Sequence, residues 1–173
     1  MYGTLDEATS ALGMARATTR YDDICQDVLE LQGELISVMA ELATPPKRLP
    51  SVLPMVSAQV ERLEQKIDGY EQERITTGQF VRPGGSLASA TLDLARTVIR
   101  RAERLLVALS QEESTNPILL QYLNRLSDLL YVMARIDEQR EIRRLVMSTL
   151  QSAAGQAQKV GSTKTVLSLA TCD

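Results

Sequence analysis

The sequence predicts an all-α protein built as an antiparallel bundle of five helices. Three observations carry that reading. Apolar residues recur at three- and four-residue steps through most of the 173 positions. No stretch alternates apolar and polar residues as a half-buried strand would. Proline and glycine gather in two internal segments, 44–50 and 78–85, where the helical period lapses.

The elements follow in order. Thr4 and Glu7 have capping-box spacing, and Leu5, Leu12 and Ala15 continue on one helical stripe. A second helix runs from Asp22 or Asp23 to Leu42, with Ile24, Val28, Leu31, Leu35, Val38 and Leu42 in phase. Pro45, Pro46 and Pro50 end it, because proline cannot continue a helix and pushes its predecessor toward an extended conformation. Ser51 opens a third helix reaching about Glu73, with Pro54 in its first turn and Val56, Val60, Leu63 and Ile67 on one face. Arg74 to Ser86 reads as a loop. The fourth helix spans Leu87 to Gln111, with Leu94, Val98, Ala102, Leu105 and Leu109 as its core stripe. The fifth begins at Asn116 and runs to Leu150. Its seam of Leu119, Leu123, Leu126, Leu130 and Met133 steps by 4, 3, 4 and 3. From Gln151 the chain turns small and polar, then weakly apolar between Val166 and Ala170. Residues 1–150 are therefore expected to form the bundle, and 151–173 a flexible C-terminal tail.

Composition narrows the function. Hydrophobic residues make up 44% and charged residues 24%, as in an ordinary globular domain. A net charge of −3 gives no global field toward nucleic acid or acidic lipid. Apolar runs fall far short of the ~20 residues that cross a bilayer. The acids Asp6 and Glu7 stand where a secretory leader would be basic, so a cytoplasmic location is expected. Cys25 and Cys172 lack metal or redox spacing. Histidine is absent, which removes the Ser-His-Asp and Cys-His arrangements and the commonest zinc ligand. A nucleophile, if one is needed, is expected to come from outside the protein.

Three places depart from what a bare bundle requires. On the fourth helix Arg96, Arg100, Glu103 and Arg104 share one face, with Arg101 beside them. That face is either a solvated basic surface or a clamp for phosphate or carboxylate, whose oxygens match guanidinium forks. On the fifth helix Asn124, Ser127, Asp128, Tyr131 and Arg135 form a polar stripe beside the leucine seam, suited to a ligand or to a subunit interface. Phe80, the sole phenylalanine, precedes Val81-Arg82-Pro83-Gly84-Gly85 in the loop. It is either an anchor packed into the bundle end or a functional ring.

These segments together resemble the PduO-type ATP:cob(I)alamin adenosyltransferases. The resemblance runs from Tyr2 to about Leu150. It rests on Tyr2-Gly3-Thr4-Leu5-Asp6-Glu7, on the Phe80 to Gly85 turn, on Ala95 to Arg104, and on Tyr122-Leu123-Asn124-Arg125-Leu126-Ser127-Asp128. It implies a ferritin-like, cobalamin adenosyltransferase-like bundle assembled as a homotrimer with sites between subunits. It implies transfer of the 5′-deoxyadenosyl group of ATP to the Co(I) centre of a reduced corrinoid, with Mg²⁺ assisting and triphosphate leaving. Hand-off of adenosylcobalamin to a dependent enzyme is implied too.

By position the resemblance assigns Arg100, Arg101, Ala102, Glu103, Arg104 and Asn124 to ATP. It assigns Phe80, Ser127 and Tyr131 to the corrinoid, and pairs Arg96 with Asp6 of a neighbouring subunit. Arg100 and Phe80 would be the catalytic residues. Asp93 stands where many members carry histidine. The family's glycine- and threonine-rich phosphate loop, which precedes the Gly-Thr-x-Asp-Glu segment, has no counterpart ahead of Tyr2. The alternative expectation is therefore a non-catalytic corrinoid-binding or chaperone-like trimer.

Overall fold

A computed structural model describes residues 1–44, 53–75, 78 and 80–169, with side chains as far as Ala154. Five helices follow one another: α1 (Tyr2–Thr18), α2 (Asp22–Ala43), α3 (Ser57–Glu73), α4 (Leu87–Glu112) and α5 (Pro117–Leu169). No strand occurs among the described residues, and no helix among them is long and apolar enough to cross a membrane. The chain divides into two compact units, Met1–Gln139 and Arg140–Asp173.

In the first unit one apolar core joins the five helices. The leucine seam of α5 is buried throughout, from Leu119 to Met133, as the 4-3 spacing predicts. α2 buries Ile24, Val28, Leu31, Leu35 and Val38, and α1 buries Leu5, Leu12 and Ala15 with Ala8 and Ala11. Alanines on α1 let it lie close to α2 and α4, the helices it packs against.

Polar ties fix the helices against one another at half-buried positions. Tyr122 on α5 donates its hydroxyl to Glu34 Oε2 on α2 at 2.8 Å, and Arg62 on α3 pairs with the same carboxylate. Asp27 on α2 accepts from Lys66 Nζ at 2.5 Å and from Tyr70 Oη at 2.8 Å, both on α3. At the other end, Asn116 Nδ2 donates to Glu41 Oε1 at 2.8 Å and to the Met55 carbonyl at 2.9 Å. The Asn116 Oδ1 accepts from Ile118 N–H at 3.0 Å, so the residue also caps α5.

Several boundaries and faces differ from the sequence pattern. Helix α1 begins at Tyr2, so Thr4 lies inside it and forms no capping box with Glu7. Thr4 N–H instead donates to the Met1 carbonyl, and Glu7 pairs with Arg101. Helix α3 starts at Ser57, leaving Pro54 and the exposed Val56 ahead of it. Val56 N–H donates to Gln59 Oε1 at 3.0 Å, and this is the start signal the pattern passed over. On α4, Val98 and Ala102 are buried, but Leu94 and Leu105 are exposed. The core face instead runs through Leu92, Ala95, Ile99 and Leu106. Two apolar stripes lie about 100° apart on this helix, and periodicity alone does not choose between them.

α5 continues to Leu169 rather than ending near Leu150. Loss of an apolar seam is no stop signal. Alanine, glutamine and lysine favour helix, and no proline follows Pro117. In the second unit Arg144 pairs with Glu141 at 2.8 Å, while Ile142, Leu145, Val146 and Met147 are exposed. The proline-rich break at 45–50, the expected start at Ser51 and Cys172 lie outside the described residues.

Candidate active site

α4 and α5 present the polar stripes that their sequences encode. Between them opens a cleft of about 360 Å³ whose lining includes Arg96, Arg100, Ser127, Asp128 and Tyr131, with Ile67 of α3 at its side. Arg100 is exposed on this wall, and Ser127 is nearly buried with its hydroxyl donating to the Asn124 carbonyl at 2.9 Å. Arginines of one helix thus face a polar stripe of the other across a concave space that also holds the Glu71 and Asp128 carboxylates, and the guanidinium forks there match phosphate or carboxylate oxygens.

The remaining residues of the arginine run divide by helical phase. Glu103 accepts from Asn124 Nδ2 at 2.9 Å, each three residues along its helix from a residue of the cleft, Arg100 and Ser127. This bond pins the carboxylate and amide assigned to ATP against each other. Arg104 is exposed. Arg101 turns the other way, toward α1, where it pairs with Glu7. Ala102 is fully buried, with its side chain in the core.

Beneath the cleft lies a charged network that reading the sequence did not assemble. Asp93, 5% exposed, accepts from Arg96 Nε at 3.2 Å and from Arg135 Nη2. Arg135, 6% exposed, also donates to Glu138 Oε2 at 2.7 Å. The guanidinium carbons of Arg74, Arg96 and Arg135 stand 5.8, 6.0 and 5.6 Å from the centre of the Tyr131 ring. Tyr131 thus has three guanidinium groups near its ring, and Asp93 ties α4 to α5 beside the cleft. Asp93 and Arg135 each stand out in the sequence. Their pairing spans 42 residues, and no local spacing announces it.

Phe80 projects fully into solvent. The reading of this ring as an anchor packed into the bundle end is excluded within the chain. It does not line the cleft. Asp6 is exposed on α1, while Arg96 pairs within its own chain to Asp93. Among the described residues no three acidic, histidine or cysteine side chains cluster closely enough to hold a metal ion by themselves.

Fold and cleft define a class: an all-α bundle with an arginine-bearing cleft between two of its helices. Comparison with known proteins gives the family. The family model for cobalamin adenosyltransferase matches residues 1–137. A corrinoid adenosyltransferase of Citrobacter freundii is 40% identical over 79% of this chain and 78% of its own length. One from Bacillus subtilis is 39% identical over 78% of this chain and 71% of its own. Among solved structures, a variant PduO-type ATP:corrinoid adenosyltransferase from Lactobacillus reuteri, complexed with cobalamin and ATP, superposes with a TM-score of 0.74. It is 33% identical and the match covers 81% of this chain and 77% of that one. The chain belongs to the cobalamin adenosyltransferase family.

Proposed function

We propose that this protein transfers the 5′-deoxyadenosyl group of ATP to the Co(I) centre of a reduced corrinoid, using the α4–α5 cleft for the nucleotide. The observation that carries the reading is Arg100 exposed on the cleft wall opposite Ser127 and Asp128, in a chain 40% identical to a corrinoid adenosyltransferase. The matches favour catalysis over the non-catalytic corrinoid-binding alternative.

The chemistry asks little nucleophilic help from the protein. The cobalt lone pair attacks the 5′-carbon, the C5′–O bond breaks, and its electrons leave with triphosphate. Charge develops on the leaving oxygen. Arg100, with Arg104 one turn on, would stabilise that charge through its N–H donors. The Glu103–Asn124 pair would orient the nucleoside end, and Arg101 would stiffen the site through Glu7. Ser127 and Tyr131 would face the corrinoid side. The exposed Phe80 ring would press on the lower face of the corrin, exclude the lower ligand and make the cobalt easier to reduce. Mg²⁺ would ride on the phosphates, neutralising charge there.

The assembly belongs to the same proposal. Leu87, Leu94 and Leu105 leave an apolar edge of α4 exposed, which fits burial in a homotrimer with Asp6 of one subunit reaching Arg96 of the next. A cytoplasmic site of action and hand-off of product to an adenosylcobalamin-dependent enzyme complete the reading. Its test is spectroscopic: ATP, Mg²⁺ and chemically reduced cobalamin should yield adenosylcobalamin. No product at saturating ATP would refute it.

A further inference from the structure

Phe80 packs against none of the described residues of its own chain, so within one subunit the ring is fixed through the two ends of its loop. Both ends are held by three consecutive residues of α5. Gln139 takes the N-terminal root: Ile75 N–H donates to its Oε1 at 2.8 Å, and its Nε2 donates to the Glu73 carbonyl at 3.1 Å. Asp137, 1% exposed, takes the C-terminal root: Ser86 Oγ donates to Oδ1 at 2.5 Å and Thr19 Oγ1 to Oδ2 at 2.7 Å. The same Ser86 hydroxyl accepts from Ser89 N–H at 2.9 Å, where α4 starts. Between the two roots Glu138 lies so close to Gly85 that an added Cβ would overlap its side chain. Gly84, with φ +118°, adopts a backbone that L side chains rarely take.

The residue types suit the task. A primary amide is a donor and an acceptor at once, and Gln139 uses both functions on backbone groups three residues or fewer from the end of α3. Asp137 offers two oxygens and fills both with hydroxyls from different elements. Consecutive helical positions sweep about 200°, enough to meet the loop's two roots and the glycine between.

We propose that Gln139 and Asp137 are positioning residues for the transfer reaction, fixing the loop so that Phe80 stands at a set height under the corrin. This rests on the reading of Phe80 given under Proposed function. The clamp grows from the helix that carries Ser127 and Tyr131, so the corrin face and the nucleotide cleft are referenced to one rigid element.

The test uses the full chain with Gln139→Ala, Gln139→Glu, Asp137→Asn and Phe80→Ala. Gln139→Ala should raise the corrinoid KM by about tenfold, as expected for a displaced contact, and leave the ATP KM unchanged. The visible and paramagnetic-resonance signature of the ATP-bound Co(II) corrinoid lacking its lower ligand should weaken in parallel. Gln139→Glu keeps the acceptor for Ile75 but not the donor to Glu73, and should fall between Gln139→Ala and the unaltered chain. The Ile75 amide should exchange faster with solvent in Gln139→Ala. Asp137→Asn, which keeps Oδ1, should shift the corrinoid KM in the same direction. Equal changes in the ATP and corrinoid KM would overturn the inference. So would an unchanged corrinoid KM and spectrum where Phe80→Ala alters both. Should Phe80→Ala alter neither, the role of that ring falls, and the clamp's catalytic meaning falls with it.

Discussion

At the scale of single residues, exposure separates chemistry from stability. Arg100 is exposed and has no role in the core, so Arg100→Ala should lower kcat by about 100-fold or more, as loss of a preorganised charge donor does. Its melting temperature should match that of the unaltered chain. Turnover assays beside thermal melts decide it, and unchanged turnover ends the assigned role. Gly85 gives the opposite pattern. Gly85→Ala would drive the Glu138 side chain out of place and loosen its 2.7 Å bond to Arg135. A loss of about 2 kcal/mol is expected from one such charged hydrogen bond, measured by denaturant titration.

At the scale of elements, the tie between α4 and α5 matters most. Asp93 is buried and bridges Arg96 and Arg135. Removing it leaves the Arg135 guanidinium buried with only Glu138 as a carboxylate partner. Asp93→Ala should therefore destabilise the fold by about 3 kcal/mol, the range for breaking a buried pair from one side. It should also release Arg96 and Tyr131, so activity should fall even well below the melting transition. If denaturation shows a loss under about 1 kcal/mol, the tie is a surface pair in effect and the network account is wrong.

At the scale of the molecule, two groups set an alkaline limit. Burial acts to lower the Lys66 pKa, but the Asp27 and Glu30 carboxylates overcome it and hold the group above its ordinary 10.5. Burial pushes the Tyr122 phenol well above its ordinary 10.0, against a smaller opposing effect of Arg62. Both groups bind their protons more tightly folded than unfolded. Their stabilisation is thus complete below the unfolded values and declines as pH rises beyond about 10. Melts between pH 9 and about 11.5 should show falling stability, and Tyr122→Phe should flatten the fall while costing about 2 kcal/mol for the bond to the Glu34 carboxylate. Light scattering tests the assembly: a trimer is expected, and a monomer at assay concentration would remove the interfacial pairing of Asp6 with Arg96.

The sequence by itself determined the helical class, the α5 seam and the family, because helix period and motif spacing are local properties of the chain. It also placed Arg100 with Asn124 and Ser127 as candidates, since their faces follow from three- and four-residue steps. What it left open was rotation and reach. Leu94 and Leu105 stand outside the core although their stripe looks as apolar as the one inside. The partners of Asp93, Asp137 and Gln139 lie 42, 51 and 64 residues away. Only the packed bundle decided which face turned inward and which distant polar groups met, because burial and hydrogen bonding are satisfied by the whole core at once and not by any one helix.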